Sequence, residues 1–385
     1  MRPRGLHDLP EPAPAAREHS ARVVEAVRRE IAEAGGWISF AQYMQAVLYA
    51  PGLGYYVAGA RKFGDAGDFV TAPEMTPLFA QSLAAPIGAL LADHATRTVL
   101  ELGAGSGALA ADLLAALDAR GMCDVRYAIL EVGPELVERQ RAALTARTSV
   151  SWVNTLPAAI DGVVLMNEVL DAVPPHVVSR RGADWLERGV AWSGGLAWAE
   201  RPLAAGRLLD LAAARFPPEG DYTSEVNPAA EALVESIARR LRHGAIVALD
   251  YGFAQGEYYH PQRSAGTLLG HYRHRVHDDP FLWPGLSDLT AHVDFTAIAE
   301  AGVRAGASVE GYASLAAFLV AAGILDRLAA TGAPTSPRYL REASAVQRLL
   351  SPAEMGELFK VIVLAKKSDG IVWPYFQAAD RAHRL

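Results

Sequence analysis

The sequence contains a single cysteine, Cys123, and its 36 Lys and Arg residues are outnumbered by 43 Asp and Glu. One cysteine excludes an internal disulfide and a zinc site built from several thiolates, so we expect a reducing compartment, the cytoplasm. The net charge of -7 disfavours a phosphate backbone as the main partner, because binding one requires a concentrated basic surface. We therefore expect no nucleic-acid partner.

Long apolar runs are also missing. No segment approaches the roughly 18 consecutive apolar residues of a membrane span, and one of the longest runs, residues 316–325, has the length of a buried helix. Residues 1–16 are rich in proline and lack the apolar run of a secretory signal, so we expect a loose tail there. Because 51% of the 385 residues are hydrophobic, the chain can form a sizeable core.

Short apolar runs alternate with helical patterns between residues 97 and 165, which predicts repeated βα units and a parallel sheet. A further helix at 228–242 and a strand at 245–249 continue the pattern, and a last buried strand at 359–365 is expected to be antiparallel. The predicted strands of the first part are 98–102, 125–130, 150–153 and 162–166, and its predicted helices are 108–120 and 134–147. The fold class is therefore α/β with a Rossmann-like core.

Residues 101–107, Glu-Leu-Gly-Ala-Gly-Ser-Gly, connect the first core strand to a helix. Glycines at this point of an α/β sheet allow backbone amides to approach a ligand closely. Glu131 ends the second strand, 24 residues after Gly107, where an acid can accept hydrogen bonds from a ribose diol. The sequence thus predicts a nucleoside ligand bound by Glu131 and by Gly103, Gly105 and Gly107.

Two nucleoside cofactors are compatible with these glycines. Gly103, Gly105 and Ala108 also match the dinucleotide fingerprint, so an NAD-dependent oxidoreductase is one alternative. Glu101 favours S-adenosyl-L-methionine, because an acid disfavours a pyrophosphate but suits the ammonium group of an amino-acid-bearing nucleoside. A purely structural role for Glu101, capping a neighbouring helix, is a second interpretation.

A further polar segment, residues 167–174, follows the fourth core strand and reads Asn-Glu-Val-Leu-Asp-Ala-Val-Pro. Glu168 and Asp171 therefore lie at the carboxyl end of a central strand, where open α/β sheets bind their ligands. Two carboxylates can hold a guanidinium through paired charge-assisted hydrogen bonds. The alternative is structural: Asp171 caps a turn and Glu168 forms an ion pair.

Several segments, in one order along the chain, resemble the MidA family, the bacterial and mitochondrial S-adenosylmethionine-dependent methyltransferases whose mitochondrial member is a complex I assembly factor that methylates a protein arginine. The match runs from about residue 40 to 367. The segments are 67–74, 101–107, 130–132, 167–174, 250–252 and 288–295. The resemblance implies a Rossmann-like class I methyltransferase core with an N-terminal helical segment and substrate-side insertions.

On the cofactor side, the resemblance implies that the glycines of 101–107 hold the methionine part of S-adenosyl-L-methionine and that Glu131 binds the ribose hydroxyls. The loop 67–74 is expected to close beside the cofactor, with Thr71 and Glu74 among the binding residues. On the substrate side it implies catalytic roles for Glu168, Asp171 and His292.

The resemblance implies four parts along the chain. They are a tail, helix and cofactor loop (1–95), the methyltransferase core with inserted hairpins at 176–202 (96–255), a substrate-side loop and helical insertion (256–350), and a terminal core strand and tail (351–385).

The expected activity is methyl transfer from S-adenosyl-L-methionine to a protein arginine, with a respiratory complex subunit as one candidate substrate. A small-molecule methyltransferase and a non-catalytic assembly factor are the alternatives. Tryptophans between residues 185 and 198 can line a homodimer contact or pack on the core. Histidines 260, 271, 274 and 277 have a spacing that suits neither one helix face nor one strand, so we expect no metal.

Overall fold

The structure is a computed structural model that describes residues 9–58, 71–368 and 370–385. The helices of these ranges are Pro14–Glu33 (α1), Phe40–Tyr49 (α2), Ala72–Met75 (α3), Pro77–Leu91 (α4), Ala108–Asp118 (α5), Pro134–Ala143 (α6), Arg207–Arg215 (α7), Pro228–Arg240 (α8), Gln255–Tyr258 (α9), Phe295–Arg304 (α10), Leu315–Ala321 (α11), Ile324–Ala329 (α12), Pro337–Leu350 (α13) and Met355–Leu358 (α14). None of them has the length and hydropathy that crossing a bilayer requires.

The strands of the same ranges are Ile38–Ser39 (β1), Thr98–Leu102 (β2), Arg126–Leu130 (β3), Val150–Val153 (β4), Ile160–Asn167 (β5), His176–Arg181 (β6), Asp184–Trp192 (β7), Leu196–Pro202 (β8), Tyr222–Val226 (β9), Leu241–Phe253 (β10), Leu269–Tyr272 (β11), Arg275–His277 (β12), Asp288–Thr290 (β13), Val293–Asp294 (β14), Ser308–Ser314 (β15) and Phe359–Lys366 (β16).

The chain divides into two compact units. The core unit contains described residues from 71–170, 232–254 and 293–385, and the insertion unit contains those from 9–58, 171–231 and 255–292. The four-part division expected from the sequence stays a prediction.

The core unit is built on one sheet in the order β15-β16-β10-β5-β2-β3-β4, with β14 pairing with β10. The strands from β10 to β4 are parallel, whereas β16 runs antiparallel to both β10 and β15. From β2 the chain moves outward to β3 and β4, then returns to β5 on the other side, so the switch point lies between β2 and β5. The Rossmann-like core and the antiparallel terminal strand are confirmed.

The central strands have apolar sequences because both faces of the sheet are covered. Residues 162–166 of β5, 244–252 of β10 and 359–365 of β16 are all buried. Helices α4 and α5 pack against this sheet through side chains such as Leu83 and Leu113. This burial explains why periodicity alone located these elements.

The insertion unit contains an antiparallel sheet in the order β1-β7-β6-β9, with β8 pairing with β7. The hairpins predicted at 176–202 are therefore present as β6, β7 and β8. Residues 255–294, in contrast, are not one long loop: they contain α9 and a small antiparallel sheet, β12-β11-β13. The sequence gives no apolar run for these strands, because they are only three or four residues long and contain polar residues such as His, Arg and Asp.

Candidate active site

The glycine loop between β2 and α5 has a backbone that few other residues can adopt. Gly103, Gly105 and Gly107 have φ values of 63°, 55° and 86°, in the left-handed region where a Cβ is strained. A Cβ on Gly103 would also lie 3.3 Å from Val169 Cγ2. The loop therefore opens at the N-terminus of α5, where amides and the helix dipole favour negatively charged ligand groups.

Glu131 directly follows β3, beside the glycine loop. Strands β2 and β3 are paired, and the Gly103 amide donates to the Leu130 carbonyl oxygen over 3.0 Å. The Glu131 Oε1 accepts hydrogen bonds from the amides of Val132 (2.8 Å) and Gly133 (2.9 Å). The carboxylate is thus fixed next to the loop, and its binding of a ribose stays a prediction.

Glu101 lies at the buried end of β2, with only 2% of the residue exposed. The Tyr127 hydroxyl donates to its Oε2 over 2.8 Å. The pKa of Glu101 is raised to about 8, mainly by burial and to a smaller extent by the charge of Glu131, although the hydrogen bond from Tyr127 lowers it. The hydrogen-bond partner is a strand residue, so Glu101 does not cap a neighbouring helix.

Glu168 follows the last residue of β5 and has a left-handed backbone with φ of 54°. Its amide donates to the Leu249 carbonyl oxygen over 2.9 Å, and Asn167 Nδ2 donates to its Oε1 over 3.2 Å. A non-glycine residue in this region costs about 1–3 kcal/mol and typically occurs at functional sites. Glu168 is therefore held at the switch-point end of β5 by a strained turn.

Asp250, on β10, stabilises that turn. The sequence did not predict a role for this residue. This carboxylate is 1% exposed, and its Oδ2 accepts from the amides of Val169 (3.1 Å) and Leu170 (2.9 Å). Its Oδ1 accepts from the Tyr251 amide over 2.9 Å. The signal in the sequence was an acid at the carboxyl end of an otherwise apolar strand.

Replacing Asp250 with alanine leaves the amides of Val169 and Leu170 without their acceptor. Each lost bond of this kind costs about 1–3 kcal/mol, so we expect Asp250→Ala to lower the free energy of unfolding by about 2–4 kcal/mol. Urea unfolding measures this. The matched control is Asp161→Ala, which removes an exposed ion pair with Arg242 and should cost less than about 1 kcal/mol. Equal midpoints for the two variants would contradict the role of Asp250.

Asp171 and His292 lie in the insertion unit, in segments that are hydrogen-bonded to each other: the Ala291 amide donates to the Asp171 carbonyl oxygen over 3.0 Å. The His292 amide donates to Thr267 Oγ1 over 3.0 Å. The Thr267 hydroxyl in turn donates to the buried Glu225 carboxylate over 3.0 Å. The backbone at both predicted residues is therefore fixed by this unit.

A second acid of the insertion unit, Asp288, was missed as a site residue. The Tyr56 hydroxyl is 2.9 Å from both of its carboxylate oxygens. Burial raises the pKa of Tyr56 well above its ordinary value, and the charges of Asp288 and Asp171 raise it further. Asp171 and Asp288 thus both lie near the Tyr56 hydroxyl.

Thr71 and Glu74 are the two predicted cofactor residues of the loop 67–74. Thr71 directly precedes α3, and the Glu74 amide donates to its carbonyl oxygen over 3.0 Å. Residues 67–70 of this loop lie outside the described residues. Among the residues that the structure does describe, no group of three His, Cys, Asp or Glu side chains is arranged to hold a metal ion.

Comparison with known proteins identifies the protein family to which the chain belongs. A family model described as "Putative S-adenosyl-L-methionine-dependent methyltransferase" matches residues 81–313, which is more than half of the chain. The chain belongs to this family and is an S-adenosyl-L-methionine-dependent methyltransferase. The glycine motif was compatible with a nicotinamide dinucleotide and with S-adenosyl-L-methionine, and membership of this family identifies S-adenosyl-L-methionine as the cofactor.

Two kinds of relative refine the comparison. A crystal structure of a Burkholderia thailandensis protein bound to S-adenosyl-homocysteine is 48% identical, with a TM-score of 0.94, and the match covers 98% of this chain and 100% of that chain. "Protein arginine methyltransferase NDUFAF7, mitochondrial" is 28% identical over 373 residues in Rattus norvegicus, covering 86% of this chain and 81% of the relative. The Homo sapiens protein is 28% identical over 371 residues, covering 86% and 80%. The resemblance that the motifs predicted is confirmed.

Proposed function

We propose that this methyltransferase methylates the guanidinium of a protein arginine. The observation that carries the proposal is Glu168, a carboxylate held in a strained left-handed backbone at the switch-point end of β5. Carboxylates are suited to bind a guanidinium through charge-assisted hydrogen bonds. The name of the NDUFAF7 relatives supports the same acceptor.

The residues of the core unit fit the cofactor. We assign the backbone of Gly103, Gly105 and Gly107 to its methionine part, because at these three positions no side chain covers the backbone before α5. Glu131 is assigned to the ribose hydroxyls and Glu101 to the ammonium group. Thr71 and Glu74 stay predictions as further cofactor-binding residues.

Bound S-adenosyl-L-methionine supplies an electrophilic methyl group on a sulfonium. Methyl transfer is an in-line displacement, in which the sulfur–carbon bond breaks as a nitrogen–carbon bond forms, so the protein mainly aligns the reacting groups. An arginine side chain has a pKa above about 12 and must lose a proton during attack. We assign Glu168 to orient the guanidinium and to stabilise the charge that moves onto it. Asp171 and His292 stay predictions as further catalytic residues.

Labelled methyl transfer into a cell extract tests the acceptor. Protein that has received label is hydrolysed, and the modified residue is identified by mass spectrometry. The proposal predicts label in methylated arginine. Label confined to lipids, to small metabolites or to another amino acid would contradict arginine as the acceptor without affecting the cofactor.

Cofactor affinity should depend on pH through Glu101. Its pKa of about 8 means that the carboxyl is mostly protonated at neutral pH in the free protein, whereas binding an ammonium group favours the ionised form. We therefore expect the affinity for S-adenosyl-homocysteine to rise about tenfold between pH 6.5 and 8, as the carboxyl ionises. Calorimetry at several pH values measures this, with Glu101→Gln as the variant that should show a flat profile. A flat profile in the wild type would rule out the assignment.

The finer predictions on partners remain proposals. A respiratory complex subunit is the first acceptor to test, because the family that the motifs resemble includes a complex I assembly factor. Cytoplasmic location and a homodimer through the tryptophan-bearing hairpins also remain proposals. Light scattering of the purified protein tests the dimer, and a monomeric mass at micromolar concentration would exclude it.

A further inference from the structure

Gln140 connects two parts of the cofactor site through one side chain, and neither the motifs nor the predicted site residues include it. The residue lies on α6 and is 0% exposed. Its Nε2 donates to the Gly105 carbonyl oxygen over 3.0 Å and to Glu131 Oε2 over 2.9 Å. Its Oε1 accepts from Trp152 Nε1, on β4, over 2.9 Å.

The orientation of this carboxamide is set by its partners. Two acceptors face its NH₂ group, and a tryptophan N–H, which can only donate, faces its oxygen. The flipped amide would place its oxygen against a carbonyl and a carboxylate, and its NH₂ against a second donor. Each mismatch of a buried polar group costs about 1–3 kcal/mol, so a single orientation is stable.

At Gln140, helix α6 also packs closely against the glycine loop. A Cβ on Gly107 would lie 3.4 Å from Gln140 Cα and 3.5 Å from its Cγ. The helix backbone therefore packs against the loop where the loop has no side chain. Since Gly105 has a left-handed backbone, which is open to glycine among many other conformations, the bond to its carbonyl oxygen helps to fix that one conformation.

The same carboxamide is one of the donors that hold the Glu131 carboxylate. The amides of Val132 and Gly133 donate to Oε1, and Gln140 donates to Oε2. Hydrogen bonds to a carboxylate are charge-assisted and hold it in one rotamer. A ribose diol then meets an acceptor that is already oriented, which lowers the ordering cost of binding.

We propose that Gln140 is a positioning residue for the cofactor, one that makes ribose recognition by Glu131 depend on the conformation of the glycine loop. The inference rests on the proposed assignment of Glu131 to the ribose and is independent of the methyl acceptor. Because Gln140 is fully buried, it would affect binding of the ribose hydroxyls only through Glu131.

The test compares two ligands by calorimetry: S-adenosyl-homocysteine and its analogue that lacks both ribose hydroxyls. The wild type should bind the analogue about 100-fold more weakly, since charge-assisted bonds contribute about 1.5–3 kcal/mol each. In Gln140→Leu the affinity for S-adenosyl-homocysteine should fall about tenfold, whereas the affinity for the analogue should fall much less. The ratio of the first affinity to the second therefore decreases. Gln140→Glu, which sets a second carboxylate against Glu131, should shrink it more.

Leu364→Ala, in buried β16, is the control for a loss of stability alone. It should lower the melting temperature while leaving the ratio of affinities unchanged, because β10, β5 and β2 separate β16 from β3. Trp152→Phe, which removes the indole N–H donor and reduces the size of the ring, gives a milder second variant if Gln140→Leu does not fold, and its ratio should shrink about threefold. A ratio equal to that of the wild type in Gln140→Leu, or in Trp152→Phe if only that variant folds, overturns the proposal. Because binding is measured, failure here is distinguishable from failure of arginine as the acceptor.

Discussion

Glu168→Gln is expected to lower the rate of methyl transfer at least about 100-fold, the range typical of lost acid–base or electrostatic stabilisation. Glutamine keeps the size of the side chain and an acceptor oxygen, so the turn fixed by Leu249 and Asp250 should persist. What disappears is the negative charge that we propose to pair with the guanidinium of the substrate. Initial rates on a verified arginine substrate, together with calorimetry of S-adenosyl-homocysteine, separate catalysis from cofactor binding.

The matched control is Asp161→Asn. Asp161 lies on the same strand, β5, near its amino end, and forms an exposed ion pair with Arg242. Its loss should leave the methylation rate within about twofold of the wild type, as expected for an exposed pair. Full methylation by Glu168→Gln, with unchanged cofactor affinity, would remove Glu168 from the mechanism.

Glu131→Ala is expected to weaken S-adenosyl-homocysteine binding about 100-fold or more. Two hydrogen bonds from ribose hydroxyls to a carboxylate contribute about 1.5–3 kcal/mol each, and a tenfold change in affinity corresponds to about 1.4 kcal/mol. The variant also removes the acceptor of the Val132 and Gly133 amides and one of the two acceptors of Gln140 Nε2. Calorimetry gives the affinity, and urea unfolding shows how much stability is lost with it.

Glu138→Ala provides the comparison on the following helix. Glu138 is exposed and forms an ion pair with Arg141, one turn away, so its loss should leave cofactor affinity unchanged. A similar affinity in the wild type and in Glu131→Ala would show that the ribose is bound elsewhere.

The sequence predicted the core well because its strands are buried on both faces. Thr98–Leu102, in which four of five residues are buried, has the predicted bounds, since buried strands appear as apolar runs. Val150–Val153 also has the predicted bounds, although none of its residues is fully buried. β9 was not predicted, although all five of its residues are buried. Its sequence, Tyr-Thr-Ser-Glu-Val, contains polar side chains that are satisfied by contacts distant in the chain, such as Glu225 with Thr267.

The candidate site divides in the same way. The glycine loop and Glu131 could be located from spacing, because the βα unit fixes where they lie. Gln140, Asp250 and Tyr56 could not, because their roles depend on partners in other elements. Asp250 reaches amides about 80 residues earlier in the chain, and Tyr56 reaches Asp288. Pairings over such distances are set by tertiary packing and leave no local pattern.

We propose that the glycine loop and Glu131 together bind the methionine and adenosine parts of one cofactor. A calorimetric titration of the folded wild-type protein with S-adenosyl-homocysteine, and separately with NADH, tests it most directly. We expect saturable binding of one S-adenosyl-homocysteine per chain and no heat of binding with NADH. No heat with S-adenosyl-homocysteine, from protein shown to be folded by its unfolding transition, would contradict it.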